Sequence, residues 1–127
     1  MKLTNTLFCY PWNDFSINNC NTYLIGSHSF ILVDPGLDLC LPGVIEEMKK
    51  DGIDPEAINY IITTHSHPDH FEGVRSFVAK GVKLALHPDE DTFLRQHGSG
   101  FYRMFGITLP DYQAVADFGE GAREING

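Results

Sequence analysis

Short apolar segments separated by polar turns occupy the first third of the chain. Residues 21–25 and 30–33 are apolar runs on either side of a polar stretch at 26–29. This pattern predicts two strands joined as a hairpin. The second run stops at an Asp-Pro-Gly sequence, residues 34–36, where Pro restricts φ and Gly permits a positive φ. We therefore expect a turn at that point.

The next segment has the spacing of an amphipathic helix. Leu41, Val44 and Met48 recur on one helical face. Pro42 suits the opening turn of a helix, and Gly52 is typical of its end. The pattern predicts one helix between these two residues.

Strand and helix patterns alternate in the rest of the chain. Residues 60–64 form a β-branched run typical of a buried strand, and residues 71–78 have apolar side chains at helical spacing. Residues 82–86 predict another strand, and residues 88–98 a helix that begins with Pro and acidic residues. From residue 99 onward the aromatic positions fit neither period, so we expect them to cover a core or line a mouth. A Gly-Glu-Gly turn is expected at 119–121.

Length and composition are those of one folded domain. The chain has 127 residues, of which 43% are hydrophobic, so we expect a single core. A formal net charge of −8 disfavours nucleic acid and an anionic membrane as partners.

We find neither a signal peptide nor a membrane span, and Cys9, Cys20 and Cys40 lack the close spacing of a thiolate metal site. We expect a cytoplasmic protein with packed, reduced thiols.

Three of the six histidines lie in the run HSHPDH at residues 65–70, directly after a predicted strand. Imidazole and carboxylate groups are ligands of zinc, iron and manganese. In extended backbone His65 and His67 project to the same side, and the proline after His67 keeps it out of helical geometry. The following turn lets Asp69 and His70 address a neighbouring position, which suggests two adjacent ions. The alternative is a polar loop of capping and surface residues.

The remaining histidines and a second acidic cluster have structural interpretations. His28, His87 and His97 lie in or beside predicted turns and helix ends, so we expect surface or capping roles. The acidic residues at 89–91 are expected to stabilise the start of the helix that contains them, because acidic groups are favourable at helix N-termini.

The segment THSHPDHFEG, residues 64–73, resembles the signature of the metallo-β-lactamase fold hydrolases, the superfamily that includes glyoxalase-II-like thioesterases. Residues 21–25 and 32–36 are similar to the two opening strands of that fold, the second of which ends in an acidic residue that supports the metal loop. The match extends over nearly the whole chain, but over only about half of the family's domain.

The resemblance implies a role for each residue of this loop. His65 and His67 are expected to bind a first metal, and Asp69 and His70 a second. Asp34 is expected to orient a ligand by a hydrogen bond. The alternative for Asp34 is an Asx turn before the proline that follows it.

The resemblance also implies an α/β (α+β) fold: the N-terminal half of an αββα sandwich, with a mixed sheet and helices on one face. Residues 1–127 are then a single, incomplete domain that lacks the C-terminal half. Many members supply a later histidine from a Thr-Pro-Gly-His stretch, which this sequence does not contain. The complete domain is expected to hold two divalent ions, with zinc as the first choice and iron or manganese as alternatives.

Two functions are compatible with these features. The first is a metal-dependent hydrolase, in which metal-bound hydroxide attacks an ester, thioester, lactone or similar bond of a small molecule and Asp69 holds metal and steers the water. The second is a non-catalytic half-domain with a partial metal site that binds a partner. In both cases we expect a homo-oligomer or association with the missing C-terminal half, because open strand edges and uncovered apolar surface favour association.

Overall fold

A mixed six-stranded sheet forms the centre of the computed structural model, which describes residues 1–117. The strands are Leu7–Tyr10 (β1), Thr22–Gly26 (β2), Phe30–Val33 (β3), Ile58–Ile62 (β4), Lys83–Leu86 (β5) and Ala114–Asp117 (β6). They lie side by side in chain order, with β1, β2 and β3 antiparallel and β3 to β6 parallel. The predicted hairpin and the predicted mixed sheet are confirmed.

Helices fill the connections between the parallel strands. They are Leu41–Lys50 (α1), Pro68–Phe71 (α2), Val74–Val78 (α3), Pro88–Phe93 (α4) and Ser99–Arg103 (α5), with short 3₁₀ turns at Asp38–Cys40 and Pro55–Ala57. The predicted α1 is confirmed. The single helix predicted at 71–78 is wrong, because α2 and α3 are separate. The helix predicted at 88–98 continues through a π-helical segment, Leu94–Gly98, into α5.

One face of the sheet packs against the helices. Leu24, Leu32 and Ile61 point from adjacent strands into a core that also contains Met48 of α1 and Phe71 of α2. All five side chains are fully buried. Burying such a side chain stabilises the folded state by about 1.5–3 kcal/mol, so this layer holds the helices on the sheet.

The opposite face of the sheet is apolar and only partly covered by the described residues. Strand alternation brings two aligned rows of side chains to this face: Leu7, Ile25, Ile31 and Tyr60, and beside them Cys9, Tyr23, Val33 and Ile62. Tyr23 is 37% exposed and Ile25 is 42% exposed. We call these eight residues the open sheet face.

Two strands were not predicted. β1 and β6 contain only four residues each and lie at the two edges of the described sheet, where β1 also forms one bridge between Phe8 and Lys2. The turn predicted at 119–121 lies outside the described residues.

Candidate metal centre

The HSHPDH run spans the end of the loop after β4 and the first three residues of α2. β4 ends at Ile62, two residues earlier than predicted, so the loop begins at Thr63. His67 has extended backbone, with φ −60° and ψ 145°, and Pro68 opens α2. This follows from the sequence, because a proline disfavours helical backbone in the residue before it and suits the first turn of a helix.

Asp34 joins the end of β3 to this loop. Its side chain is 5% exposed. One carboxylate oxygen accepts a 2.7 Å hydrogen bond from the Thr64 amide, and the other accepts a 2.8 Å bond from the Thr64 hydroxyl. The second oxygen also lies 3.0 Å from Nδ1 of His70. Because β3 and β4 are parallel neighbours, their carboxyl ends bring Asp34 and the loop together.

The four residues predicted as ligands lie together. The ring centroids of His65 and His67 are 4.7 Å apart, and those of His65 and His70 are 4.1 Å apart. Oδ2 of Asp69 lies 3.7 Å from Nε2 of His70. Burial, and then the neighbouring His70 and His67, lower the pKa of His65. These effects favour the neutral imidazole, which is the form that binds metal.

The proximity of these donors is not yet a coordination geometry. Within residues 1–117, no three His, Cys, Asp or Glu side chains converge on one point where a metal ion could be held. The imidazoles instead contact one another in edge-on and tilted arrangements. The donor chemistry suits a divalent ion: imidazoles and a carboxylate are grouped, and His70 has a carboxylate partner on its other ring nitrogen. The ligand assignment therefore remains a prediction.

Ser66, between the first two histidines, is held from two sides. It is 1% exposed. Its amide donates a 2.9 Å hydrogen bond to Oε2 of Glu90, and its hydroxyl donates to the same oxygen. Its carbonyl accepts a 2.6 Å bond from the hydroxyl of Tyr102, which is fully buried. Residues of α4 and α5 thus fix the backbone between His65 and His67.

Sequence reasoning missed these two supports. Glu90 was expected only to stabilise the start of α4, but its carboxylate contacts the loop. His87 caps the N-terminus of α4, because its Nδ1 accepts a 3.1 Å hydrogen bond from the Asp89 amide. No local sequence signal marks Glu90, because its contact with Ser66 depends on how α4 packs against the loop.

The comparisons with known proteins define the class of the molecule. The family model of the metallo-beta-lactamase superfamily matches residues 17–126, and this match supports a metal-dependent hydrolase-type fold. The chain belongs to the metallo-beta-lactamase superfamily. No curated protein matches the sequence.

Solved structures with the same fold include several metallo-beta-lactamases. BJP-1, a subclass B3 enzyme of Bradyrhizobium japonicum, has a TM-score of 0.81 and 21% identity, over 100% of this chain and 47% of its own. A HARLDQ motif mutant of a Cronobacter sakazakii metallo-beta-lactamase has a TM-score of 0.78 and 18% identity, over 100% of this chain and 50% of its own. Native FEZ-1 from Legionella gormanii has a TM-score of 0.70 and 18% identity, over 90% and 43%.

These likenesses establish the fold. The chain spans about half the length of each of these three structures. The predicted α+β architecture, a mixed sheet with helices on one face, is confirmed. Among residues 1–117, no helix combines the length and apolar character needed to cross a membrane.

Proposed function

We propose that this chain carries the metal site of a hydrolase that uses two divalent ions. The observation that supports this most strongly is the grouping of three imidazoles and Asp69 on the loop after β4 and the start of α2, a segment that Asp34 braces. In the proposal His65 and His67 bind the first ion, and Asp69 and His70 bind the second. Zinc is the expected metal, with iron or manganese as alternatives. Bound divalent ions supply Lewis acidity and lower the pKa of a coordinated water.

The chain's own residues position the reacting groups. Asp69 is the proposed catalytic residue: its side chain is 23% exposed, so solvent reaches the carboxylate, which can accept a hydrogen bond from an attacking water and orient it. The side-chain Nδ2 of Asn18 donates a 3.3 Å hydrogen bond to Oδ2 of Asp69 and helps to fix that carboxylate. Asp34 contacts Nδ1 of His70 and leaves Nε2 on the side of Asp69.

The proposed substrate is a small molecule with an ester, thioester, lactone or similar bond. A net charge of −8 disfavours polyanionic substrates. The neighbours named as beta-lactamases are 16–22% identical to this chain, which supports the fold and does not extend their substrate to it. The three free cysteines support our placement of the protein in the cytoplasm.

Turnover by the zinc-loaded chain tests the hydrolase directly. Wild type, Asp69→Asn and Asp89→Asn are assayed against a panel of esters, thioesters and lactones. We expect Asp69→Asn to lower kcat/KM about 100-fold or more, because a positioned proton acceptor contributes at least that much. Asp89, whose side chain is 94% exposed, is the matched control and should leave kcat/KM unchanged. Hydrolysis of no substrate, or equal rates for all three proteins, contradicts the proposal.

A second candidate function is a partner-binding half-domain with a partial metal site. The open sheet face favours it, since Tyr23 and Ile25 expose apolar surface on an otherwise folded unit. In this proposal residues 1–127 form one incomplete domain that associates with a second copy or with a C-terminal half. Stable association without turnover of any substrate would favour this function over the hydrolase.

A further inference from the structure

An apolar groove runs up to the proposed metal ligands. Its volume is about 480 Å³, within the usual size range of small-molecule sites. Its walls include Ile17, Leu37, Phe105 and Ile107, and one end reaches His67 and Asp69. The groove therefore places apolar walls beside His67 and Asp69, two of the four proposed metal ligands.

Three separate segments build the groove, and hydrogen bonds hold each wall. The carbonyl of Ile17, between β1 and β2, accepts a 3.1 Å bond from the indole of Trp12. The amide of Leu37, after β3, donates a 2.8 Å bond to Asn19. The amide of Ile107, after α5, donates a 3.2 Å bond to the carbonyl of Tyr102. The walls are thus anchored before any ligand binds.

The rim of the groove exposes apolar surface. Phe105 is 57% exposed although it lies on this wall, whereas Leu37 is 7% exposed. None of the described residues that line the groove is Lys or Arg, so the lining offers neither of these cationic side chains to pair with a carboxylate or phosphate tail. An uncharged, apolar chain is the ligand that this lining stabilises.

We propose that this groove binds the apolar acyl chain of the substrate, an ester or thioester of a medium-length aliphatic acid. The acyl chain lies against Leu37, Phe105 and Ile107, and the carbonyl carbon lies at the His67 and Asp69 end. This inference rests on the proposed hydrolase function for the position of the carbonyl. The apolar chain selectivity follows from the groove alone.

Hydrolysis-resistant amides test the groove in the metal-free protein. Butanamide and octanamide are titrated separately, and binding is followed by heteronuclear NMR. We expect octanamide to bind at least about tenfold more tightly, because its four additional methylenes enter the groove. The perturbed amide signals should map to Ile17, Leu37, Phe105 and Ile107.

Two neighbouring variants separate the groove from general apolar binding. Phe105→Ala should reduce the preference for octanamide to less than about threefold, since part of the wall is removed. Met104 precedes Phe105 but is 81% exposed and does not line the groove, so Met104→Ala should keep the wild-type preference. Equal affinities of wild type for the two amides, or equal effects of the two variants, would overturn the inference.

Turnover distinguishes failure of this inference from failure of the proposed function. The zinc-loaded chain is assayed with 4-nitrophenyl butanoate and octanoate. Preference for octanoate that Phe105→Ala abolishes supports both proposals. Absence of turnover with octanamide selectivity intact contradicts the hydrolase and supports an acyl-binding groove. Turnover of both esters at equal kcat/KM, with equal amide affinities, overturns the acyl assignment alone.

Discussion

Asp34 combines a strained backbone with hydrogen bonds that support the HSHPDH segment. Its φ of 56° lies in the left-handed region, which Asp and Asn adopt more readily than most other side chains. Its carboxylate accepts two hydrogen bonds from Thr64 and also contacts His70. Backbone strain persists where surrounding contacts determine a residue's position, as they do here.

Substitutions of Asp34 should separate the contribution of its carboxylate hydrogen bonds from the requirement for a side chain that tolerates a positive φ. We expect Asp34→Ala to lower the free energy of unfolding by about 3 kcal/mol, because Thr64 loses its acceptors and alanine is strained at this φ. Asp34→Asn keeps an acceptor oxygen and tolerates the backbone, so we expect a loss of about 1 kcal/mol. Urea unfolding of the metal-free chain measures both values. Equal losses would contradict this account of Asp34.

Tyr102 should stabilise the loop through the hydrogen bond that its hydroxyl donates to the Ser66 carbonyl. Burial raises the pKa of its hydroxyl, so Tyr102 is a neutral donor to the Ser66 carbonyl. We expect Tyr102→Phe to lower the free energy of unfolding by about 1–2 kcal/mol and to speed hydrogen exchange at residues 65–70. Tyr112 donates to Asp91 instead, and Tyr112→Phe is the matched control. Exchange at 65–70 that responds equally to both variants contradicts the assignment.

Local sequence was enough to predict some residues of the site but not others. The four proposed ligands lie within one short run, and Asp34 directly follows a recognisable strand. Glu90 and Tyr102 reach Ser66 from 24 and 36 residues away in sequence. Their contacts depend on how α4 and α5 pack, which spacing along the chain does not encode.

At the scale of elements, the periodicity of apolar residues predicted the longest helix, α1, most completely. α1 has ten residues and a clear apolar face, so its bounds followed from the sequence. β1 and β6 have four residues each, the same length as the predicted strands β3 and β5, so length alone does not explain why the sequence pattern missed them. Their pairing with β2 and β5 is a tertiary effect.

The π-helical segment explains why the helical pattern weakens after residue 98. Leu94, Gly98 and Tyr102 are buried at every fourth residue across Leu94–Gly98 and α5. A π-helical turn widens the helix and shifts its buried face relative to the 3.6-residue period. Aromatic residues at 101–105 therefore fitted neither helix nor strand spacing.

The contact between the α2–α3 segment and the turn after β3 depends on Gly73. The carbonyl oxygen of Gly36 accepts a hydrogen bond from the Gly73 amide. A Cβ atom at residue 73 would lie only 2.7 Å from that oxygen and would disturb this hydrogen bond. We expect Gly73→Ala to lower the free energy of unfolding by about 2–3 kcal/mol. Gly43 of α1 has open space around it, so Gly43→Ala should raise stability by about 0.5–1 kcal/mol. Thermal unfolding that shows the same sign for both variants contradicts the close approach.

At the scale of the whole molecule, the open sheet face should drive association of this chain. Apolar surface buried there contributes roughly 25 cal/mol per Å², and the face is continuous across four strands. We expect a dimer by sedimentation velocity for the wild-type chain. Ile25→Lys, which places a charge on this face, should give a monomer.

A lysine introduced on the helical side controls for the effect of added charge on association. Gln96 is exposed on the helical side, and Gln96→Lys adds the same charge, so we expect this variant to remain dimeric. A wild-type monomer at high concentration, or equal behaviour of the two lysine variants, contradicts association through the open sheet face.

Metal content of the purified chain tests the central claim most directly. Wild type, His67→Ala and His28→Ala are incubated with zinc, passed through a desalting column and analysed by mass spectrometry for bound metal. His28 is exposed in the turn between β2 and β3, so it controls for the loss of any surface imidazole. We predict about one equivalent of zinc or more for wild type and His28→Ala, and less than about half of that for His67→Ala. Less than about half an equivalent in all three proteins, unchanged by His67→Ala, would contradict metal binding by this loop.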